Sequence, residues 1–226
     1  GVQPTKSTTA TIKVDTAMLE DYSEVDKKLA DLGGNTNAFR LSQDRAKIQG
    51  FNNKVQRYML FGNRGSEPGA FNGLSKFYHD LTASNAENII DAGGTGTDNN
   101  SIWLVVWGGE DGITGIYPKG SQAGLQTTDK GVVTIQNANG VTGARMEAYQ
   151  THYSWDVGRF VGDWRQAVRI CNIDKSLLIK DRTTGADLPD LMFQASEKLA
   201  DSGGGRAAWY MSRTMATMLR RQLADA

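Results

Sequence analysis

The order of secondary-structure signals along the chain predicts an α+β fold rather than alternating βαβ units. Three observations carry this expectation. Two stretches before residue 62 place apolar residues at helical spacing. Residues 101–155 run apolar or alternate in β-branched and aromatic types, and two amphipathic stripes close the chain after residue 187. With 39% hydrophobic residues over 226 positions, the chain holds enough apolar side chain for a core, which excludes disorder.

The elements follow in order. Ala10, Ile12 and Val14 alternate, so a short strand is expected over 9–14. Met18, Tyr22, Val25, Leu29 and Leu32 then fall at helical offsets, predicting a helix capped by Thr16 and stopped by Gly33 and Gly34. A long helix is expected over 42–62, where Ile48, Phe51, Val55, Tyr58 and Met59 share one face and Gly50 is the weak point. A loop-rich stretch over 63–100 ends in the glycine cluster DAGGTGTDNN. The run SIWLVVWG over 101–108 reads as a strand buried on both faces, with a hairpin turn at 109–112 leading into a strand over 113–117. A second strand pair is expected from 132–136 and 145–155 across Asn139 and Gly140, with Tyr149, Tyr153 and Trp155 on one face. Phe160, Trp164 and Val168 are four apart, so a helical turn competes there with a strand through Ile170. Leu188, Leu191, Met192, Ala195 and Leu199 form a stripe behind an Asp187 cap, terminated by Gly203 to Gly205. Finally, Ser212 caps a helix carrying Met215, Met218, Leu219 and Leu223. No internal repeat is visible.

Composition narrows the function classes. Lys and Arg total 25 against 25 Asp and Glu, so the chain lacks the basic excess of a dedicated DNA binder and the acidity of an activation tail. Glycine, at 26 residues, exceeds the roughly 7% average share while proline stands at 4, which means many bends and few stiff linkers. The single cysteine, Cys171, excludes an intramolecular disulfide framework and a CxxC metal site, and fits an intracellular assembly compartment. No apolar run approaches the ~18 residues of a membrane span, and GVQPTKSTT lacks both parts of a signal peptide, so a soluble protein without membrane contact is expected.

Each constellation that could carry chemistry is weak. GGTGTD over 93–98 precedes a strand instead of joining a strand to a helix, and it lacks the GK[ST] ending of a phosphate loop. His152 and Cys171 are the ingredients for thiol catalysis, with His79 the remaining histidine, and nothing in their spacing aims one at the other. Asp156 with Asp163, and Asp174 with Asp181, sit seven apart, a spacing without fixed geometry outside a helix. HxxxH, CxxC and the EF-hand loop are missing, so no metal ligands and no cofactor-binding residues are nominated. Trp103, Trp107, Trp155, Trp164 and Trp209 could form a sugar platform, but their apolar neighbours favour core packing. No catalytic residue is nominated, and the chain reads as a non-enzyme.

Charge segregation is the one arranged feature. Asp15, Glu20, Asp21, Glu24, Asp26 and Asp31 face two bases, Lys27 and Lys28, a local balance of −4 over 15–31. Arg45, Lys47, Lys54 and Arg57 against Asp44 give the long helix +3. One reading is two solvated helix faces, with Glu24 and Lys28 forming an i,i+4 pair worth a few tenths of a kcal/mol. The other is complementary surfaces between neighbouring copies, which makes Glu20, Asp21, Glu24, Arg45 and Lys47 candidate inter-subunit contacts.

Five stretches, in order, resemble a known family: YSEVDKKLADLGGN over 22–35, ENIIDAGGTGTDNNSIWLVVWG over 87–108, GIYPKGSQAGLQ over 115–126, SWDVGRFVGDWRQAVRICNID over 154–174, and YMSRTMATMLRRQ over 210–222. The chain is similar to the major capsid proteins of tailed double-stranded DNA bacteriophages, in the podovirus-like group that includes the Bordetella phage type. The resemblance implies a Hong Kong 97-like fold with a long spine helix and a mixed sheet flanked by helices. On this chain the spine would be 42–62 within a peripheral-domain-like segment over 1–72. An axial-domain-like sheet would occupy 73–226, with helices over 187–202 and 212–226 packed on it. It further implies an internal portion of a longer chain, since family members usually carry an N-terminal arm with an extended loop and additional C-terminal strands.

The implied function is a structural subunit that self-assembles into hexamers and pentamers of an icosahedral head enclosing double-stranded DNA. The implied partners are other copies of the chain, a cementing or decoration protein, a portal, and a scaffold or protease. DNA would be near by non-specific proximity. The implied location is the virion capsid, assembled in the host bacterial cytoplasm, with no cofactor. The rival readings are a tryptophan-rich glycan-binding or glycan-cleaving domain and a virion decoration or tail protein.

Overall fold

A 17-residue strand, Arg145–Val161 (β6), organises half of the sheet. Along one edge it pairs antiparallel with Thr16–Asp26 (β1), from Thr16 opposite Gly158 to Asp26 opposite Ala148. Along the other edge it pairs with Gln126–Gln136 (β5), with a register shift between Asp129 and Gly131, and then with Ile113–Ile116 (β4). The computed structural model that shows this describes residues 12–109, 111–180, 185–199 and 204–224.

Residues 16–26 form a strand, not the helix that the spacing predicts. Ala17, Leu19, Ser23 and Val25 are buried, a period of two, while Met18, Tyr22, Leu29 and Leu32 of the expected helical stripe are exposed. Eleven backbone partners on β6 decide the matter, because long-range pairing outweighs local helical spacing. The helix is confined to Lys27–Leu32 (α1), where the Asp26 carboxylate accepts from the Leu29 N–H at 3.1 Å. Gly33 and Gly34 end it as expected, Gly34 with φ 71°. The short strand expected over 9–14 is not formed at 12–14, and its first residues lie outside the described ones.

The long helix is Thr36–Phe61 (α2), six residues longer at its start than its apolar face suggests. Asn35 is the cap, its side chain accepting from the Ala38 N–H at 3.1 Å. At 26 residues the helix is about 39 Å long. Its predicted face is the real one. Phe51, Val55 and Tyr58 are buried against Ala17, Leu19, Ala70, Phe71, Tyr153 and Val157, so α2 lies along β1 and β6.

The second half of the sheet centres on Asn99–Trp107 (β3), whose residues 102–106 are buried on both faces as predicted. It pairs antiparallel with Ala167–Asp174 (β7) and Arg206–Tyr210 (β8), and β7 carries Ile89–Asp91 (β2) in parallel. The strand order is β1-β6-β4-β3-β7-β2, with β5 added on β6 and β8 on β3. One face meets Lys175–Lys180 (α4), Leu188–Lys198 (α5) and Arg213–Ala224 (α6) through Ile102, Leu104, Ile170, Leu188 and Met215. The other face holds Trp103, Val105, Ile113 and Cys171 against Leu74 and Tyr78, which belong to the short helix Leu74–Phe77 (α3) and the residue after it.

Several expectations are corrected. β3 and β4 are not a hairpin; among the described residues they meet at Trp107 and Ile113 in the parallel sense. Gly108 and Gly109 both take positive φ, 73° and 76°, and loop the chain so that the Gly108 N–H reaches the Ile113 carbonyl at 3.0 Å. Between β6 and β7 the competition resolves as one short 3-10 turn, Trp164–Gln166, followed by the strand. The α5 and α6 caps stand as read: Asp187 accepts from the Asp190 N–H, and the Ser212 hydroxyl accepts from the Met215 N–H, both at 3.3 Å. α5 ends at Lys198, before the glycine run, whose Gly203 lies outside the described residues. No helix among the described residues is long and apolar enough to cross a membrane.

Candidate functional site

The charged segments singled out in the sequence meet inside one subunit. The acidic one lies on β1 and the basic one on α2, which packs against it. Lys47 forms an ion pair with Asp21 at 2.9 Å and also donates to the Tyr22 carbonyl oxygen at 2.5 Å. Glu20 bonds His152 at 2.5 Å, with Tyr22 stacked on the imidazole at 4.6 Å between ring centroids. Glu24 accepts from the Gln150 side chain at 3.0 Å, so it forms no helical pair with Lys28. Arg45 is exposed, with no ion pair among the described residues. Strand alternation puts Glu20, Tyr22 and Glu24 on one face of β1. Glu20, Asp21, Lys47 and Lys54 line a groove of about 360 Å³ between β1 and α2.

Beneath this surface sits a buried polar centre that the charge count does not reveal. Asp44, 4% exposed, accepts hydrogen bonds from the Ser23 hydroxyl and from the Tyr153 hydroxyl, the latter at 2.8 Å. One carboxylate therefore ties α2 to both β1 and β6. Burial, followed by the bond to Asp44, pushes the Tyr153 hydroxyl up to about 12. The available signal was position: Asp44, Ile48, Phe51, Val55 and Tyr58 share one helical stripe, so an acid at 44 had to face the core.

At the start of α2, Arg40 clamps Asp129 of β5 with two bonds of 3.0 and 2.9 Å, reaches Thr151 at 2.9 Å, and lies over the Tyr149 ring. The Arg40 bond holds the Asp129 carboxyl below its usual range. At the other end the Tyr58 hydroxyl donates to Glu67 at 2.5 Å, with Lys54 also on Glu67 at 3.4 Å. These contacts make α2, β1, β5 and β6 one braced unit.

The catalytic candidates are not brought together. His152 lies on β6 opposite Tyr22 of β1, and Cys171 on β7 beside Asp91 of β2, at opposite ends of the strand order. Asp163 is paired with Arg165 at 2.6 Å, and Asp181 lies outside the described residues. No group of three or more His, Cys, Asp and Glu among the described residues is placed to hold a metal. Trp103 is buried, Trp107, Trp155 and Trp209 are half-buried and Trp164 is exposed; Trp103 and Trp209 line one cavity of about 420 Å³ that the other three do not line, so the five form no single platform.

Cys171 is buried in β7, and burial pushes its thiol up, which suppresses the reactive thiolate. Iodoacetamide at neutral pH is therefore expected to leave Cys171 unmodified in the folded subunit and to alkylate it within minutes in denaturant. Rapid labelling under native conditions would contradict the packing of β7 described here.

Comparison with known proteins adds the following. A family model described as major capsid protein GP7 matches residues 1–226. Among solved structures, a chain from the near-atomic cryo-EM structure of bacteriophage Epsilon15 superposes with a TM-score of 0.71 at 37% identity. That alignment covers 100% of this chain and 68% of that one. Nothing among the curated proteins matches.

Proposed function

The chain belongs to the family of the major capsid protein GP7, and from that premise we propose that its copies close into hexamers and pentamers of an icosahedral phage head around double-stranded DNA. It is a structural protein of the virion capsid, with a mixed sheet and long helix consistent with the Hong Kong 97-like fold. The observation that carries the reading is the agreement of a full-length family match with a superposition at 37% identity.

The mechanism follows from rigidity and repetition. A shell subunit must present the same surfaces to several neighbours, and closed symmetry turns modest pairwise contacts into a stable container. α2 serves as the spine. Residues 1–72 supply the peripheral segment and 73–226 the axial one, with the long β6 running back along the spine to join them. Glu20 and Glu24 on the outward face of β1, with Asp21, Lys47 and the exposed Arg45 beside them, are the inter-subunit contacts, where charge supports specificity more than raw affinity. No catalytic step is assigned to the chain. A decoration protein, a portal and a scaffold or protease are the further partners such a shell takes. The formal net charge of 0 suits a wall that does not hold packaged DNA tightly.

Purified virions provide the test. This chain is expected to be the most abundant protein band, in the copy number of a closed shell; a count of a few tens per particle would assign it to a tail or decoration role instead.

A further inference from the structure

Arg159 of β6 is 3% exposed, yet among the described residues one of its guanidinium nitrogens, Nη2, carries all of its hydrogen bonding, donating to the Asn72 carbonyl oxygen at 2.8 Å. Nε and Nη1 are covered and bond to nothing among the described residues. A guanidinium taken out of water with two donors unfilled and no carboxylate beside it is costly to the isolated subunit. Burial accordingly pushes Arg159 down to about 10. The Phe77 ring lies over it, with its centroid 4.5 Å from the guanidinium carbon, and Phe77 is itself 50% exposed.

The same arginine lines a cavity of about 350 Å³ whose wall includes Ile12, Val14, Phe77 and Trp164. All four are exposed large apolar residues, at 66%, 38%, 50% and 37%. The acids close by are already engaged, Asp15 with Arg64 and Asp163 with Arg165. An uncompensated cation thus sits under a movable ring at the floor of an apolar rim.

We propose that this cavity is a socket in which Arg159 receives an Asp or Glu side chain from a second copy of the chain, while that neighbour's apolar surface covers the rim. The proposal rests on the shell reading above. Charge complementarity selects a carboxylate, which the unfilled N–H groups of a buried guanidinium bind more strongly than a neutral acceptor. The apolar rim selects a protein surface over the phosphates of DNA, which stay hydrated. A carboxylate entering beside the exposed Phe77 ring compensates in the assembly a charge left without a carboxylate in the free subunit.

The test uses the full-length protein, with Arg159→Met, which keeps length without charge, and Arg159→Lys, which keeps charge without the fork. Light scattering gives the protein concentration at which assembly begins, and thermal unfolding gives the stability of unassembled subunits. Arg159→Met is expected to melt at or above the wild-type temperature while needing about tenfold more protein to assemble, with Arg159→Lys between the two. Glutarate should inhibit wild-type assembly and leave Arg159→Met unaffected, and inorganic phosphate should inhibit neither. Assembly of Arg159→Met at the wild-type concentration overturns the socket, as does a variant that fails to fold, since the arginine would then serve its own subunit. Inhibition by phosphate alone overturns the carboxylate assignment. A wild-type protein that forms no capsomers removes the shell reading and the socket with it, whereas normal wild-type shells beside an unimpaired Arg159→Met remove only the socket.

Discussion

Replacing Asp44 with Ala is expected to lower the unfolding free energy of the subunit by about 3 kcal/mol, measured by urea denaturation of unassembled protein. The size follows from what is left behind. Asp44 is the common acceptor for the hydroxyls of Ser23 and Tyr153, both buried, and its loss strands two donors in the layer between α2, β1 and β6. Asp44→Asn keeps one acceptor oxygen and should cost about half as much. Combining Asp44→Ala with Tyr153→Phe should be milder than the sum of the single changes, because an apolar ring edge no longer needs the missing partner. pH supplies a further check. Tyr153 is held neutral by the fold, with its hydroxyl raised to about 12 from an ordinary value near 10. Its stabilising contribution is therefore complete below pH 10 and lost as pH rises toward 12, and Tyr153→Phe should flatten that decline. A cost under about 1 kcal/mol for Asp44→Ala would mean that the carboxylate is not the tie described here.

The second large effect is at Gly62. A Cβ there would stand 2.2 Å from the Phe71 carbonyl oxygen and 2.7 Å from that of Tyr58, both backbone atoms that no side-chain rotation can clear. Gly73 donates its N–H to the Gly62 carbonyl at 2.8 Å, so the two glycines close the loop that ends α2. Gly62→Ala is expected to cost about 3 kcal/mol, at the upper end for overpacking because the backbone itself must move. Gly50→Ala is the control within the same helix. Nothing lies within 4 Å of a Cβ at that position, so the substitution should stabilise by about 0.5–1 kcal/mol through helix propensity alone. Equal effects at the two glycines would contradict the close approach at the helix end.

These positions show where the sequence was readable and where it was not. The apolar face of α2, the doubly buried β3 and the caps at Asp187 and Ser212 rest on local periodicity and local hydrogen bonds, and all are legible. Residues 16–26 were not, because Met18, Tyr22 and Val25 mimic a helical stripe while the decisive partners lie more than 120 residues away on β6. β8 was missed for a related reason: RAAWY is too short to show a period, and β3 alone specifies it as a strand. The acidic and basic segments were visible as composition, but the Asp21–Lys47 pair joins a strand to a helix and depends on the packing of α2 on β1. Asp44 could have been found from its stripe. Arg159 could not, because its isolation results from what surrounds it in space.

The family places this chain in a phage capsid, and the account built on that placement makes α2, braced on β1 and β6, the spine of each shell subunit. Electron microscopy of shells assembled from the full-length protein tests this most directly. The account predicts fivefold and sixfold rings in which every subunit shows one straight rod about 39 Å long beside a long two-edged strand. Persistently monomeric protein, or rings whose subunits lack that rod, would contradict it.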